Sequence, residues 1–192
     1  MRAEASDAEL VGRSLAGAPD AFVEMVQRHE VAIGAYLARR CGRGVAEELL
    51  ADVWLESFRS RKTYDRSFEN ARPWLFGVAR NVLRRHWRSL PRETPTDNVD
   101  VIGNAWNPWP AVDCRLDVED VLRQVLDMLP AQEREILTLI VWDDLTIADA
   151  ARSLGIPTGT AYRLLHQARM TLRGVPSVAA MLADDGAVKR SR

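Results

Sequence analysis

The chain has 192 residues, 47% of them hydrophobic and 28% charged, with a formal net charge of −1, enough for one or two small cores. No apolar run approaches the roughly 18 residues of a membrane span, and the start Met1-Arg-Ala-Glu-Ala-Ser-Asp7 lacks the apolar segment of a signal peptide. Cys41 and Cys114 stand outside any spacing that would hold zinc or frame disulfides, so no membrane insertion, metal or cofactor is expected, and a reducing cytoplasm is the simplest home.

The near-zero total conceals blocks of charge. Arg61 to Arg92 carries nine cations and two anions, Glu93 to Asp120 one cation and seven anions, and Ala161 to Arg192 six cations and two anions. That pattern suggests two basic binding surfaces separated by an acidic connector.

Helical spacing dominates and no two-residue alternation appears, so the expected fold class is all-α. Residues 1–19 read as an acidic, frayed N-terminal tail. A first helical domain is expected over 20–88. Its first helix begins near Pro19-Asp20, turns Phe22, Val23, Val26, Ile33, Tyr36 and Leu37 inward, and ends near Cys41-Gly42. Its second helix buries Ala46, Leu49, Leu50, Val53, Trp54, Ser57 and Phe58 at steps of three and four. Glu48, Asp52 and Glu56 lie four apart on its outer side, beside Glu47, and a plain solvated face fits that stripe as well as a contact does.

The third helix, around Arg72-Pro-Trp-Leu-Phe-Gly-Val-Ala-Arg-Asn-Val-Leu-Arg-Arg-His-Trp-Arg88, says most about function. Leu75, Val78, Ala79, Val82, Leu83 and His86 fall on one arc, and Pro73 sits in a tolerated first-turn position. Arg80, Asn81, Arg84, Arg85 and Arg88 fall on the opposite arc, with Trp74 and Trp87 at its edges. Guanidinium groups grip phosphates bidentately and indoles stack on exposed bases, so this face suits nucleic acid. An ordinary solvated arginine face with two core tryptophans fits the same pattern.

Residues 89–116 read as a flexible acidic linker, punctuated by Pro91, Pro95, Pro108 and Pro110. Trp106 and Trp109 are unusual for a linker and suit packing on a domain or insertion into a partner. A second helical domain is expected over 117–173. Val118, Val121, Leu122, Val125, Leu126 and Leu129 mark a helix stopped at Pro130, and Ile136, Leu137, Leu139 and Ile140 mark the next. Thr146 and Asp149 fit a capping box, ahead of Ile147, Ala150, Ala151 and Leu154 on an inward face. Gly155 closes that helix. Thr158 then caps a last helix that buries Ala161, Leu164, Leu165, Ala168 and Leu172. Two short helices joined by a tight turn with a glycine make a helix-turn-helix. Its exposed second-helix residues, Thr160, Tyr162, Arg163, His166, Gln167 and Arg169, can reach base edges in the major groove. Residues 174–192 read as a C-terminal tail.

The two halves together resemble an extracytoplasmic-function (ECF) sigma factor, the smallest class of bacterial sigma factor. Val45-Ala-Glu-Glu-Leu-Leu-Ala-Asp-Val-Trp54 with Phe58, Arg72-Pro-Trp-Leu and Ala79-Arg-Asn81 are similar to the family's second conserved region. Leu129-Pro-Ala-Gln-Glu-Arg-Glu-Ile-Leu137 and Ala148 to Arg169 are similar to its fourth. The resemblance implies a protein that binds core RNA polymerase, directs it to promoter DNA and promotes melting. It also implies that Glu47, Glu48, Asp52, Leu55 and Glu56 dock on the coiled coil of the largest polymerase subunit. Tyr64, Asp65, Arg66 and Ser67, in the loop Thr63 to Asn70, would then hold a flipped base of the minus-ten element. Arg80, Asn81, Arg84, Arg85, Trp87 and Arg88 would line the DNA beside it. Thr158, Thr160, Tyr162, Arg163, His166, Gln167 and Arg169 would read the minus-thirty-five element. An anti-sigma factor is an implied partner.

This chain also departs from the family. Ala51 stands where a Gln is frequent, and Tyr162, Arg163, Leu164 and Gln167 replace a more cationic pattern. The competing reading is a helix-turn-helix regulator that acts without polymerase, which leaves the first domain unused. No enzymatic activity is expected: His29, His86 and His166 are far apart in sequence, and no phosphate loop or nucleophile elbow appears.

Overall fold

A computed structural model describes residues 5–90 and 125–174. Every regular element among them is helical, and none of their helices is long and apolar enough to cross a membrane. Of the described residues, 5–90 and 152–155 fall in one compact unit, and 125–151 and 156–174 in another.

The first helix, α1 (Asp7–Leu15), lies where a frayed tail is expected. Ser6 is its N-cap: the Ser6 hydroxyl accepts the Glu9 N–H at 3.2 Å, and the Glu9 carboxylate accepts the Ser6 N–H at 2.9 Å. Two of the unpaired first-turn donors are satisfied in this way. Leu10, Val11 and Ser14 are buried, together with Asp7. Residues 5–19 are therefore part of the first unit, and the sequence signal was Ser6-x-x-Glu9 followed by apolar residues at helical spacing.

Helix α2 (Asp20–Cys41) places Phe22, Met25, Ile33, Tyr36 and Leu37 in the core. Gly42 ends it and starts α3 (Arg43–Ser60) in a single step. At φ 82° and ψ 158° this backbone lies in a region essentially reserved for glycine. The Gly42 N–H donates to the Ala38 carbonyl at 3.0 Å, and its own carbonyl accepts the Ala46 N–H at 2.9 Å. Ala46, Leu49, Val53 and Ser57 then face inward.

After a 3₁₀ turn (Arg61–Thr63), α4 (Arg72–Ser89) closes the unit with Pro73 in its first turn. Leu75, Val78, Ala79, Val82 and Leu83 are buried, as their spacing predicts. The buried arc is wider than that, because Phe76 is buried as well, edge-on to Tyr36 with centroids 5.1 Å apart. It is narrower at the far end: His86, expected on the core side, is half-buried and lies edge-on to Trp87. Phe22 and Phe58 make a second edge-on pair, joining α2 to α3 at 5.2 Å.

The other unit is built around α5 (Ala131–Val141) and α7 (Thr158–Arg173), with α6 (Ile147–Leu154) between them in the chain. Leu126, Leu129, Leu137, Leu165 and Ala168 form its core, with Ile140, Trp142, Ile147 and Leu172 packed around them. Arg134 is an unexpected member of the interior. Its guanidinium donates to the carbonyls of Asp127 and Leu129, both at 3.1 Å, and pairs with the Asp127 carboxylate at 3.0 Å. This holds residues 125–129 against the start of α5. The Thr146 hydroxyl accepts the Asp149 N–H at 3.1 Å, as its spacing predicts.

Gly155 ends α6 with φ 67°, and the Ile156 N–H donates back to the Ala151 carbonyl at 3.0 Å. Thr158 is not the cap of α7. Pro157 occupies that position in an extended conformation, and its carbonyl accepts the Thr160 and Ala161 N–H groups at 2.9 and 3.1 Å. Its ring fixes φ near the value the cap needs, so the helix begins one residue earlier than the threonine suggests. The expected linker, Trp106 and Trp109, most of the Val118 helix and the tail from residue 175 lie outside the described residues.

Candidate nucleic-acid interface

Helix α4 carries the cationic face. Asn81, Arg85 and Arg88 are exposed, while Arg80, Arg84 and Trp87 are half-buried beside them. The Arg84 guanidinium is pushed below its ordinary pKa, first by burial and then by the neighbouring charges of Arg80 and Arg88. It stays charged, and that mutual repulsion is relieved when a phosphate approaches. Arg85 has a second neighbour: its Nη2 lies 3.7 Å from Glu56 Oε2 on α3. An exposed pair of this kind contributes about 0–1 kcal/mol, so it opens readily to other partners. The expected DNA residue Arg85 and the expected polymerase residue Glu56 are thus adjacent.

The loop from Tyr64 to Asn70 enters α4 from the side of α1. Tyr64, expected to hold a base, is 6% exposed. Its ring lies against Trp74 at 5.4 Å, and its hydroxyl donates to the Phe68 carbonyl. Burial, followed by the charge of Asp7, pushes the Tyr64 phenol up to about 12. Tyr64 is therefore the floor of the loop rather than a stacking surface, because its apolar ring and its hydroxyl are both satisfied inside. The exposed residues are Asp65, Arg66, Ser67 and Phe68. The Asp65 carboxylate accepts the Ser67 N–H at 3.0 Å, and this bond holds its pKa below the usual carboxylate range. The Asp65 carbonyl accepts the Phe68 N–H at 3.2 Å, which makes a tight turn. That turn presents Phe68 at 41% exposure. Phe68 is absent from the expected contacts, although a large aromatic in a polar loop was a visible signal. Asn70 closes the loop, its side-chain oxygen accepting the Arg72 N–H at 2.8 Å.

On α3, Glu47, Glu48 and Asp52 are exposed, Leu55 is 47% exposed and Glu56 is half-buried. Leu55 lies one turn from Asp52, so the stripe is acidic around an apolar centre, which fits a contact better than a purely solvated face. On α7, Thr158, Tyr162, Arg163, His166, Gln167 and Arg169 are exposed and Thr160 is half-buried. Arg163 Nη1 lies 3.4 Å from Gln167 Oε1. Tyr162 is 59% exposed, a large aromatic near the N-terminus of the helix. Among the described residues, no group of three or more His, Cys, Asp and Glu side chains could hold a metal ion.

Comparison with known proteins places both halves. The profile of Sigma-70 region 2 matches residues 25–93, and that of Sigma-70 region 4 matches residues 119–172. The ECF RNA polymerase sigma factor SigF of Caulobacter vibrioides is 31% identical over 171 residues, covering 85% of this chain and 89% of that protein. BldN of Streptomyces coelicolor, another ECF RNA polymerase sigma factor, is 28% identical over 181 residues, with 92% and 66% covered. Two solved structures share the fold. CnrH, in complex with the cytosolic domain of CnrY, has a TM-score of 0.61 at 20% identity and covers 93% of this chain and 98% of its own. The sigma factor RpoE, in complex with the anti-sigma factor NepR from Bartonella quintana, has a TM-score of 0.56 at 23% identity, with 79% and 94% covered.

Proposed function

This chain belongs to the ECF RNA polymerase sigma factors, and from that premise we propose how its surfaces divide the work of directing RNA polymerase to a promoter. The acidic stripe of α3, Glu47, Glu48, Asp52 and Glu56 around Leu55, docks on a basic coiled coil of the largest polymerase subunit. The exposed face of α7 reads the minus-thirty-five element, with Arg163, Gln167 and Arg169 supplying polar and phosphate contacts. Tyr162 adds an apolar contact of the kind a thymine methyl accepts. The α4 arginines and the loop Asp65 to Phe68 take the melted minus-ten strand. An anti-sigma factor covers these surfaces until the chain is needed, and the protein works in the cytoplasm, where polymerase and promoter meet.

Melting without ATP needs a sink for the unpaired strand. Extruding a base costs a few kcal/mol, and stacking on an aromatic side chain returns about 1–3 kcal/mol per base. The exposed Phe68 ring and the phosphate-binding α4 face together supply that sink. The polymerase performs the phosphodiester chemistry. One observation carries this assignment: a single compact unit pairs a cationic α4 face with an acidic α3 stripe, joined at the Arg85–Glu56 contact. Full-length protein mixed with bacterial core polymerase should co-elute with it, and the holoenzyme should render minus-ten thymines reactive to permanganate. The triple variant Glu47→Lys, Glu48→Lys, Asp52→Lys should lose co-elution. A chain that binds promoter DNA but never core polymerase would establish the independent regulator instead.

A further inference from the structure

The sequence separates α1 from the minus-ten loop by nearly 50 residues, but the fold ties them together at Asp7. The Asp7 N–H donates to the Glu69 carbonyl at 3.0 Å, and its Oδ2 accepts the Ala71 N–H at 2.8 Å. One residue thus grips the chain on both sides of Asn70, where the loop hands over to α4. The carboxylate is in turn held from α2, with His29 Nε2 at 2.7 Å from Oδ2 and Arg28 Nη1 at 3.4 Å from Oδ1. Further along α1, Gly12 faces Arg66 of the loop. A Cβ built on Gly12 would lie 3.3 Å from Arg66 Nη1, so the absent side chain leaves room for that guanidinium. The region 2 profile begins at residue 25, and α1 lies wholly before it.

We propose that α1 is a positioning element for promoter melting: Asp7, braced by His29 and Arg28, clamps the backbone at Glu69 and Ala71 and presents the loop Asp65 to Phe68 already ordered. The inference rests on the assignment of that loop to the melted minus-ten strand. Binding a flipped base to a loose loop spends part of the contact energy on ordering the chain. With the clamp in place, that ordering is complete once the protein has folded. Asp7 touches no DNA and acts through the backbone it holds. Its buried carboxylate suits the task because its two oxygens accept from a backbone amide, the His29 ring and the Arg28 guanidinium at once, whereas a neutral amide would turn an N–H toward one of them.

The test uses the full chain with core RNA polymerase. Asp7→Asn keeps the shape of the side chain but removes its charge and one acceptor oxygen. Losing a charge-assisted bond of this kind should speed amide hydrogen exchange over residues 69–72 of the free protein about tenfold more than that of the core amides of α2 and α3. Core affinity should stay within about twofold, because a bond lost far from the docking face leaves that face unaltered. At equal promoter occupancy, permanganate reactivity of the minus-ten thymines should fall about tenfold, the equilibrium equivalent of that lost bond. The milder His29→Gln should move both readouts in the same direction, and it carries the test alone if Asp7→Asn fails to fold.

A parallel drop in core affinity and promoter opening, with exchange faster to the same extent throughout α1 to α4, would reduce Asp7 to a fold-stabilising residue and overturn the proposal. So would unchanged opening in both variants. Unreactive thymines with the wild-type holoenzyme would strike the loop assignment itself, and this role with it. That result is distinct from a defect confined to the variants.

Discussion

Substitutions at Tyr64 and Phe68 separate the architecture of the loop from its contact surface. Tyr64 is buried against Trp74 and donates its hydroxyl to the Phe68 carbonyl. Tyr64→Phe keeps the ring and removes one hydrogen bond, leaving a carbonyl less well satisfied, at a cost of about 1 kcal/mol. In a unit of this size that lowers Tm by about 4–8 °C. Tyr64→Ala removes the ring as well and should cost about 3–5 kcal/mol, a large share of the roughly 5–15 kcal/mol that holds a domain folded. Phe68 is 41% exposed, so Phe68→Ala should cost no more than about 1 kcal/mol of stability. Losing its stacking on a captured base should instead weaken binding by about 1–3 kcal/mol, or about five- to 150-fold in affinity. Thermal melts of the free protein and fluorescence anisotropy of the holoenzyme on a forked minus-ten oligonucleotide measure the two effects. An unchanged Tm in Tyr64→Phe, combined with full fork affinity in Phe68→Ala, would refute the division between floor and surface.

Three further outcomes follow from the geometry. Arg84→Ala should weaken promoter binding on all sequences alike and lower the slope of log affinity against log salt by about one, measured by titration from low to moderate salt. Gly155 sits at φ 67°, so Gly155→Ala should destabilise the turn between α6 and α7 by about 1–2 kcal/mol in chemical denaturation followed by circular dichroism. Burial raises the Asp7 carboxyl, but the bonds from His29 and the Ala71 N–H, with the charges of His29 and Arg28, outweigh it and hold its pKa below the ordinary 3.8. A depressed folded pKa adds stability that is complete above the unfolded value and disappears as pH falls through the folded one. Wild type should therefore exceed Asp7→Asn by about 1.5–3 kcal/mol at pH 7, and urea unfolding at successively lower pH should show the gap closing below about pH 4.

Much of this molecule is written locally. The helical steps of α2, α3 and α4, the Gly42 and Gly155 stops, and most of the opposed arcs of α4 depend on contacts within a turn or two, so spacing specifies them. The same holds for the exposed face of α7, whose side follows once Ala161, Leu164, Leu165 and Ala168 are inside. The Ser6–Glu9 cap is equally legible, yet a short acidic start also resembles a tail, and only the burial of Leu10 and Val11 separates the two. Val23, expected inward on α2, is instead 52% exposed, and Phe76 and His86 depart from the α4 arc.

Other features exist only because distant segments meet. No spacing reveals that Asp7 binds the amide of Ala71, that Tyr64 points inward while Phe68 points out, or that Arg134 lies in the interior with two carbonyls to satisfy it. Polar groups in a core are stable only when several segments converge to supply every partner, and that convergence belongs to packing rather than to periodicity. The amino-acid order thus determined which helices form and which faces carry charge. The tertiary structure decided which of those residues support the DNA-binding loop and which are exposed for contact.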